Sequence, residues 1–346
     1  MNYTKERDNL IDVQTICLQS IAKTLNIHGV FFKIGAEFEF YLIPKNYIED
    51  VDFENIVIPL SKEYQNYQIF TYKSQLIKQI SNKLQQKMME FDIKISDIEK
   101  EDGRNQFEIH FPPSLNAVIL ADSIVRFKKY AKEICNENGF HFVISGKPFE
   151  KDSGNSMHIH ISLYNHDSVN IFQNYDEFSE LINYAIGGIM ENAKSMLYLC
   201  GMNDENSYYR FKRPIFGQIH KYYPTNFSFG INNRTCMIRI PFSNQMNMQD
   251  ARIEFRLPCP VANPYNLFSG LYYSIAHGIS NSIIPINPIY GDAFDRKYDS
   301  ILEIIPKNLK DAQEMYYGSK VSSVINGKIN DFINILYLKS NSYLMQ

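Results

Sequence analysis

Four short segments of the chain place ionisable side chains on alternate residues. In GAEFEF, Glu37 and Glu39 alternate with phenylalanines, and NQFEIHF, MHIHISL and RIEFRL repeat the pattern with Glu, His and Arg. Alternate residues of a β-strand point to the same face, so each segment predicts a strand with one apolar and one polar face. The polar faces carry, in chain order, Glu37 and Glu39; Gln106, Glu108 and His110; His158, His160 and Ser162; and Arg252, Glu254 and Arg256.

If these strands lie side by side, their polar faces line a cleft that would hold a cation. Clustered carboxylates repel one another unless a cation lies among them. Oxygen ligands with one imidazole suit Mg²⁺ or Mn²⁺ better than zinc, and no cysteine lies near these strands. Guanidinium groups beside them suit a phosphate or carboxylate substrate. The residues therefore predict metal-dependent phosphoryl transfer, although a solvated sheet face explains any one strand taken alone.

The chain lacks the motifs of the common nucleotide-binding loops. It contains no Walker A motif, and no G-x-G-x-x-G follows a predicted strand. A bound nucleotide would therefore be held in neither the P-loop nor the Rossmann manner.

Helical periodicity predicts the elements that position these strands. A strand is predicted from Val30 to Leu42, followed by a loop over 44–70. Apolar residues recur at helical spacing over 5–25, 73–91, 114–138, 176–199, 261–283, 308–317 and 328–338. Because repeats and flexible linkers are absent, we expect one domain over 1–346, with a core at about 5–284 and a C-terminal helical region at 285–346.

The composition excludes several classes of protein. The 346 residues are 45% hydrophobic and 21% charged, which is ordinary for a globular protein with a sizeable core. A formal net charge of −3 argues against a general nucleic-acid binder. Five scattered cysteines without a CxxC pair favour a reducing compartment. With a polar N-terminus and no apolar run near the roughly 18 residues of a membrane helix, we expect a cytoplasmic protein without a membrane partner.

Six motifs in chain order resemble the catalytic domain of glutamine synthetase. They are GAEFEF (35–40), EDGRNQFEI (101–109), GNSMHIHIS (154–162), ENSYYRF (205–211), INNRTCMIRIP (231–241) and ARIEFRLPCPVANPY (251–265). Each is short, but their order and spacing make a specific match over about residues 5–310. The resemblance implies an α+β fold, with a curved, mainly antiparallel sheet whose concave face carries the site and with helices packed outside.

The resemblance implies a role for each matching residue. The ligands of one divalent site correspond to Glu39, Glu101 and Glu108. Those of a second site, nearer the terminal phosphate of ATP, correspond to Glu37, His158 and Glu254. The positions that contact the nucleotide correspond to His160 and Ser162. The positions that hold the phosphates of ATP and the transferring group correspond to Arg234, Arg239 and Arg252. The positions that hold glutamate correspond to Gly154, Arg210 and Arg256.

The implied activity is that of an ATP-dependent ligase with two Mg²⁺ or Mn²⁺ ions. The γ-carboxylate of glutamate attacks the terminal phosphate of ATP and gives an acyl phosphate, from which ammonia or another amine then displaces phosphate. Two-metal charge neutralisation and arginine contacts would provide most of the stabilisation. Members of the family assemble into stacked rings, with sites formed between neighbours.

Two departures from the family pattern leave the amine step open. The family carries a small β-rich domain ahead of the catalytic one, whereas here we expect only a helix before Gly35. The flap glutamate that helps to deprotonate ammonium corresponds to Phe216, which cannot act as a base. Three alternatives follow: a glutamine synthetase, acting as a homo-oligomer or with a separate N-terminal-domain partner; a γ-glutamyl ligase for a larger or less basic amine; and a catalytically impaired paralogue with a binding role.

Three further residues receive other interpretations. His110 shares the face of Glu108 but is interpreted as a structural histidine. Ser153 stands where the family usually has Asn before the glycine that corresponds to Gly154. Tyr298 lies near the tyrosine that bacterial synthetases use for nucleotidyl regulation, although the flanking sequence matches only in part.

Overall fold

The structure, a computed structural model, describes the chain from 29 to 326 with gaps, and a few helical positions before it. The continuous ranges are 29–46, 74–150, 152–174, 177–201, 204–211, 223–242 and 248–326. Most of the predicted loop over 44–70 and the predicted helix at 328–338 lie outside the described residues. Of the predicted opening helix, Leu18 and Ile21 are described as helical and are fully buried.

A mixed, mostly antiparallel sheet of eight strands forms the centre of the described chain. The strands are β1 (Phe31–Pro44), β2 (Glu99–Lys100), β3 (Gln106–Ser114), β4 (Phe140–Val143), β5 (Ile159–Tyr164), β8 (Phe229–Ile231), β9 (Ile238–Ile240) and β10 (Ile253–Phe255). Their order in the sheet is β2-β3-β1-β5-β10-β9-β8, with β4 also paired to β1. The only parallel pair in this described sheet is β8 with β9. A separate ladder joins β6 (Gln173–Asn174) and β7 (Glu177–Phe178).

The strand register brings the polar faces of the four predicted strands together. On the β1–β3 pair, Glu37 lies opposite His110 and Glu39 lies opposite Glu108. On the other side of β1, the amide of Glu37 donates to the carbonyl of His158. Glu254 of β10 then lies opposite His160 of β5. The predicted alternation therefore aligns across neighbouring strands, and the ionisable side chains share one face of the sheet.

The opposite face of the sheet packs against helices and forms the core. Phe38, between the two glutamates of β1, is fully buried, and its ring lies 5.4 Å from the ring of Phe127. The α-helices in the continuously described ranges are α1 (Ser74–Met89), α2 (Ala117–Glu137), α3 (Glu180–Gly201), α4 (Glu205–Tyr209), α5 (Pro264–Ser280), α6 (Leu309–Tyr316) and α7 (Lys320–Ile325). The predicted fold class, α+β with a mainly antiparallel sheet and outer helices, is confirmed.

Local signals in the sequence account for the helix boundaries. Asn116 caps α2 because its side chain accepts from the amides of Val118 and Ile119. Gly139 follows that helix with φ of 81°, a left-handed conformation that glycine adopts without a steric penalty. These signals agree with the helix predicted over 114–138. Among the described residues, no helix is long and apolar enough to span a bilayer.

The region between α5 and α6 is mostly irregular in the described structure. Between α5 and α6 the described chain contains one 3₁₀ turn, Arg296–Tyr298, and otherwise irregular structure. Pro285 and Pro288 lie in this stretch and account for the interruption, because proline cannot continue a helix interior. The later helices return to the main core, where Ala312 of α6 and Val321 of α7 are fully buried.

Candidate functional site

The polar faces of the strands surround a cavity of about 320 Å³, referred to below as the acidic cavity. It is lined by every predicted metal ligand: Glu37, Glu39, Glu101, Glu108, His158 and Glu254. It is also lined by three of the predicted arginines: Arg234, Arg239 and Arg256. Residues separated by more than 200 positions in sequence therefore meet in one concave site.

Glu37 is the carboxylate at the centre of the site. One of its oxygens lies 3.0 Å from Nδ1 of His158 and the other lies 2.9 Å from Nε2 of His160. Burial opposes ionisation of Glu37, but hydrogen bonds from the two imidazoles outweigh it and hold the pKa of this carboxyl well below its usual value. Glu37 is therefore ionised at neutral pH and places a negative charge between two potential nitrogen ligands.

Glu254 is almost fully buried and is held by two arginines. Arg239 donates to one of its oxygens at 2.7 Å, and Arg256 donates to the other. Nδ1 of His158 lies 3.6 Å from the oxygen that Arg256 contacts. Burial raises the pKa of Glu254, but Arg256 and His158 outweigh burial and lower it to about 2. The charge of this carboxylate is thus kept in place by cationic neighbours.

A second group of carboxylates consists of Glu39 on β1, Glu108 on β3 and Glu101 in the loop before β3. Glu39 is buried and accepts hydrogen bonds from the amide of Ser156 at 2.9 Å and from the side chain of Gln106 at 3.0 Å. Burial, and then the charges of Glu101 and Glu108, nevertheless raise the pKa of Glu39 well above its usual value. Burial and Glu108 likewise raise the pKa of Glu101. A cation among these carboxylates would relieve this repulsion.

The loop between β2 and β3 points Glu101 into the acidic cavity. Asn105 adopts a left-handed backbone conformation with φ of 58°, which Asn tolerates better than most residues. A Cβ on Gly103 would lie 2.2 Å from the hydroxyl of Tyr41, so only glycine fits there. These two residues explain why the motif EDGRNQ forms this turn.

The donor atoms of the acidic cavity fit divalent cations. Among the described residues, two sets have all their donor atoms within 4.8 Å of one another: Glu37, Glu108 and His158; and Glu37, His160 and Glu254, of which His160 does not line this cavity. Glu39 and Glu101 belong to neither set. Separations near 3 Å, as between Glu37 and the two imidazoles, match adjacent ligands of an octahedral ion with bonds of about 2.1 Å. The predicted sets divide these ligands differently, since they pair His158 with both Glu37 and Glu254 and assign His160 to the nucleotide.

The acidic cavity is lined by more carboxylates than guanidiniums. The described lining includes three guanidiniums and seven carboxylates: Glu37, Glu39, Glu99, Glu101, Asp102, Glu108 and Glu254. The formal count therefore leaves four negative charges in excess. Because uncompensated carboxylates repel at this proximity, the donor set is better suited to cations than to an empty polar pocket.

A second cavity of about 300 Å³ adjoins the acidic one and is referred to below as the nucleotide cavity. It is lined by the remaining predicted nucleotide positions: His160, Ser162 and Arg252. Nε of Arg252 lies 3.3 Å from Nδ1 of His160, and both face this cavity with Lys33. Glu37 and His110 line both cavities, so the two cavities meet beside these residues.

Arg210 and Gly154 lie behind the wall of the acidic cavity. Arg210 is buried, and its guanidinium donates to the backbone carbonyls of Leu257 at 2.6 Å and Asn155 at 2.9 Å. A Cβ on Gly154 would lie 2.4 Å from the carbonyl oxygen of Gly146, so close packing requires glycine there. Both residues thus shape the loop before β5, and direct contact of either with glutamate stays a prediction.

Several lining residues were not predicted as site residues. The structure places His110, interpreted from sequence as structural, in both cavities with Nε2 3.1 Å from Oε1 of Glu108. Glu99 alternates with Glu101, and that spacing is a signal that could have identified it. Tyr223 contacts the carbonyl of Gly154 through its hydroxyl, and no sequence pattern marks it.

Two predictions on individual residues remain untested. Phe216, at the position of the flap glutamate, lies outside the described residues. The hydroxyl of Tyr298 donates to the carbonyl of Tyr290 at 2.7 Å, and its regulatory role stays a prediction.

Comparison with known proteins gives consistent matches along almost the whole chain. The sequence model described as glutamine synthetase, catalytic domain, matches residues 16–334. A glutamine synthetase of Pyrococcus woesei is 30% identical over 332 residues, which cover 94% of this chain and 71% of that protein. The gamma-glutamylputrescine synthetase of Escherichia coli is 26% identical over 329 residues, covering 91% of this chain and 66% of that protein.

A solved structure supports the likeness of fold. The structure described as a GmaS/ADP complex has a TM-score of 0.75 and 23% sequence identity with this chain. The match covers 96% of this chain and 74% of that one. At this level of identity the similarity bears on the fold alone.

Proposed function

We propose that this chain, which belongs to the glutamine synthetase catalytic-domain family and is an ATP-dependent ligase, forms a γ-glutamyl amide from glutamate and ammonia. The observation that carries the proposal is the pair of adjoining cavities that share Glu37 and His110. One cavity supplies groups that suit a nucleotide, and the other supplies carboxylates and arginines that suit cations and an acidic substrate.

The nucleotide cavity would hold ATP with its phosphates directed toward Glu37. Support comes from Arg252 and Lys33, two cationic side chains that line this cavity beside His160 and Ser162. A guanidinium binds phosphate oxygens through paired hydrogen bonds, and this orients the chain of phosphates. The terminal phosphate would then lie at the passage between the two cavities.

The acidic cavity would hold the metal ions and the reacting groups. We propose one ion at Glu39, Glu101 and Glu108 and another at Glu37, His158 and Glu254. When bound, Mg²⁺ or Mn²⁺ would neutralise charge on the phosphate oxygens. Arg234 and Arg239 would stabilise the charge that develops on the transferring phosphoryl group, and Arg256 would bind a carboxylate of glutamate.

The chemistry proceeds in two displacements. The γ-carboxylate of glutamate forms a bond to the terminal phosphorus while the bond to ADP breaks, which gives an acyl phosphate. Ammonia then attacks the acyl carbon and phosphate leaves. Ammonium must lose a proton before it attacks. Among the described lining residues, Glu99 and Asp102 are the carboxylates outside both proposed metal sites, and we propose them as candidate proton acceptors.

A γ-glutamyl ligase for a larger amine is the second candidate function. It is supported by the similarity to a gamma-glutamylputrescine synthetase and by Glu99 and Asp102. These two carboxylates add negative charge to the cavity wall, which favours an amine with a second positive charge. The two candidates differ in the amine alone and share the phosphoryl-transfer half.

Release of ADP in the presence of Mg²⁺, ATP and glutamate tests both functions. The first predicts release that depends on ammonium, and the second predicts release that depends on a particular amine while ammonium is inert. Failure to bind Mg–ATP in calorimetry would contradict both and leave a paralogue that binds another partner.

We also propose that residues 1–346 form one catalytic domain. Support comes from Ala312 and Val321, which belong to the same hydrophobic core as Phe38 of β1. We further propose that the chain acts as a homo-oligomer or with a separate N-terminal-domain partner. Light scattering of the purified chain measures its assembly state, and co-purification with a small β-rich protein tests the partner.

A further inference from the structure

His110 lies on β3 at the passage between the acidic and nucleotide cavities. It follows Glu108 by two residues, so both side chains are on the same face, and it lies opposite Glu37 in the β1–β3 register. The side chain is 39% exposed, so a ligand in either cavity can reach the ring. Its position resembles that of a site residue more than that of a packing residue.

The ring of His110 is not held by the fold. Its backbone exchanges hydrogen bonds with Ser96, at 2.9 Å from the amide to Oγ and at 3.0 Å from the amide of Ser96 to the carbonyl. Within the described chain, Glu108 is the one group that hydrogen-bonds the imidazole itself. A half-exposed pair of this kind contributes at most about 1 kcal/mol to stability. The fold therefore explains the strand position but not the choice of histidine.

The spacing between His110 and Glu108 is that of two ligands of one ion. Nε2 of His110 lies 3.1 Å from Oε1 of Glu108. The corresponding separations around Glu37 are 3.0 Å to His158 and 2.9 Å to His160. Adjacent ligands of an octahedral ion with bonds of about 2.1 Å lie about 3 Å apart. A neutral imidazole meets this requirement through the lone pair on Nε2, with its N–H on Nδ1.

We infer that His110 is an additional nitrogen ligand of the divalent ion that Glu108 binds, and that it biases this site toward Mn²⁺ over Mg²⁺. Mg²⁺ is a hard cation that takes oxygen ligands, whereas Mn²⁺ is a transition-metal ion and accepts an imidazole nitrogen more readily. The inference rests on the proposed function because it uses the metal site proposed there. It adds a ligand that the three carboxylates do not supply.

Metal titration of three variants tests the inference without any assay of turnover. The chain, freed of metal by chelation, is titrated separately with Mn²⁺ and Mg²⁺ as wild type, His110→Asn, Glu108→Gln and the control His166→Asn. His166 is exposed, and its position lies outside both cavities. His110→Gln provides a second substitution should the asparagine variant fold poorly. Pulsed EPR of bound Mn²⁺ counts the directly coordinated nitrogens.

His110→Asn should weaken Mn²⁺ binding at one site on the order of tenfold or more, and Mg²⁺ binding by less than about threefold. The number of ¹⁴N couplings should fall by one, and His166→Asn should match wild type. Equal losses for the two metals, or an unchanged number of couplings, would overturn the inference. If Glu108→Gln also leaves metal binding unchanged, the proposed metal site itself fails; if it weakens binding while His110→Asn does not, only the role of His110 fails.

Discussion

Arg239 and Glu254 lie opposite each other on the β9–β10 pair, and the guanidinium donates to the carboxylate at 2.7 Å. The same carboxylate is bound on its other oxygen by Arg256, which is also buried. One predicted metal ligand is therefore fixed by two of the arginines predicted to bind substrate. Ligand positions and substrate contacts are coupled through a shared buried charge.

Removing this shared charge should destabilise the protein as well as weaken metal binding. Glu254→Gln removes the anion that the buried guanidinium of Arg256 contacts, and breaking a buried pair in this way costs about 3 kcal/mol. Chemical denaturation of the metal-free variant should show a loss of this size. Glu303→Gln, which removes an exposed pair with Lys194, is the control and should change stability by less than about 1 kcal/mol. Equal stability of the two variants would contradict the role given to Glu254.

Substitution of Arg210 should lower the stability of the fold. Arg210→Lys keeps the charge, but a lysine cannot reach the separate carbonyls of Leu257, Asn155 and Ser207 that the guanidinium binds. Buried carbonyls left unpaired cost about 1–3 kcal/mol each. We expect a clear drop in the melting temperature with and without glutamate. A normal melting temperature combined with a raised KM for glutamate would instead favour direct contact with substrate.

Substitution of Arg252 should weaken the binding of ATP and leave the binding of glutamate unchanged. It is only half-buried and lines the nucleotide cavity, where its contacts are His160 and the carbonyl of Asp250. Arg252→Gln should raise the KM for ATP by about tenfold, which is the effect of losing one charged contact of about 1.4 kcal/mol, with the KM for glutamate unchanged. A change in the KM for glutamate alone would place the nucleotide elsewhere.

Lys128 provides a pH-dependent test of the packing between α2 and the segment before α5. Its ammonium group donates to the carbonyl of Ala262 at 2.8 Å, and burial lowers its pKa to about 8. The unfolded chain keeps the ordinary, higher value. Between the two values the unfolded state binds more protons, so this residue makes the folded state relatively more stable as pH rises.

The measurement compares melting temperatures of wild type and Lys128→Met between about pH 7 and about pH 9.5. The difference should move in favour of wild type as pH increases, because the folded state loses a charge that burial disfavours. A difference that stays constant over this range would show that Lys128 keeps an ordinary pKa in the folded protein.

Local pattern in the sequence was sufficient to predict the strands and the cavity they line. The period-two alternation at Glu37, Glu39 and Glu108 depends only on backbone geometry, and pairing of the strands then brings the polar faces together. Helix caps such as Asn116 are equally local. The six predicted metal ligands consequently line one cavity.

The sequence pattern could not predict which residues that are distant along the chain contact one another. The orientation of Arg210 depends on carbonyls about 50 positions away in either direction. Tyr223 enters the cavity wall from a segment without periodicity, and the position of His110 between two cavities depends on the packing of three strands. Such contacts depend on tertiary structure, and the spacing of residues along the chain does not predict them.

The most direct test of the central claim is the fate of isotopic nitrogen in the reaction product. The chain is incubated with Mg²⁺, ATP, glutamate and ¹⁵N-ammonium, and the products are examined by mass spectrometry alongside ADP release. We predict one ¹⁵N in the γ-amide of glutamine for each ADP released, and loss of both signals in Glu37→Gln. ADP release without labelled amide would show that ammonia is not the acceptor, and the absence of ADP with ammonium and with every amine tested would contradict the ligase function.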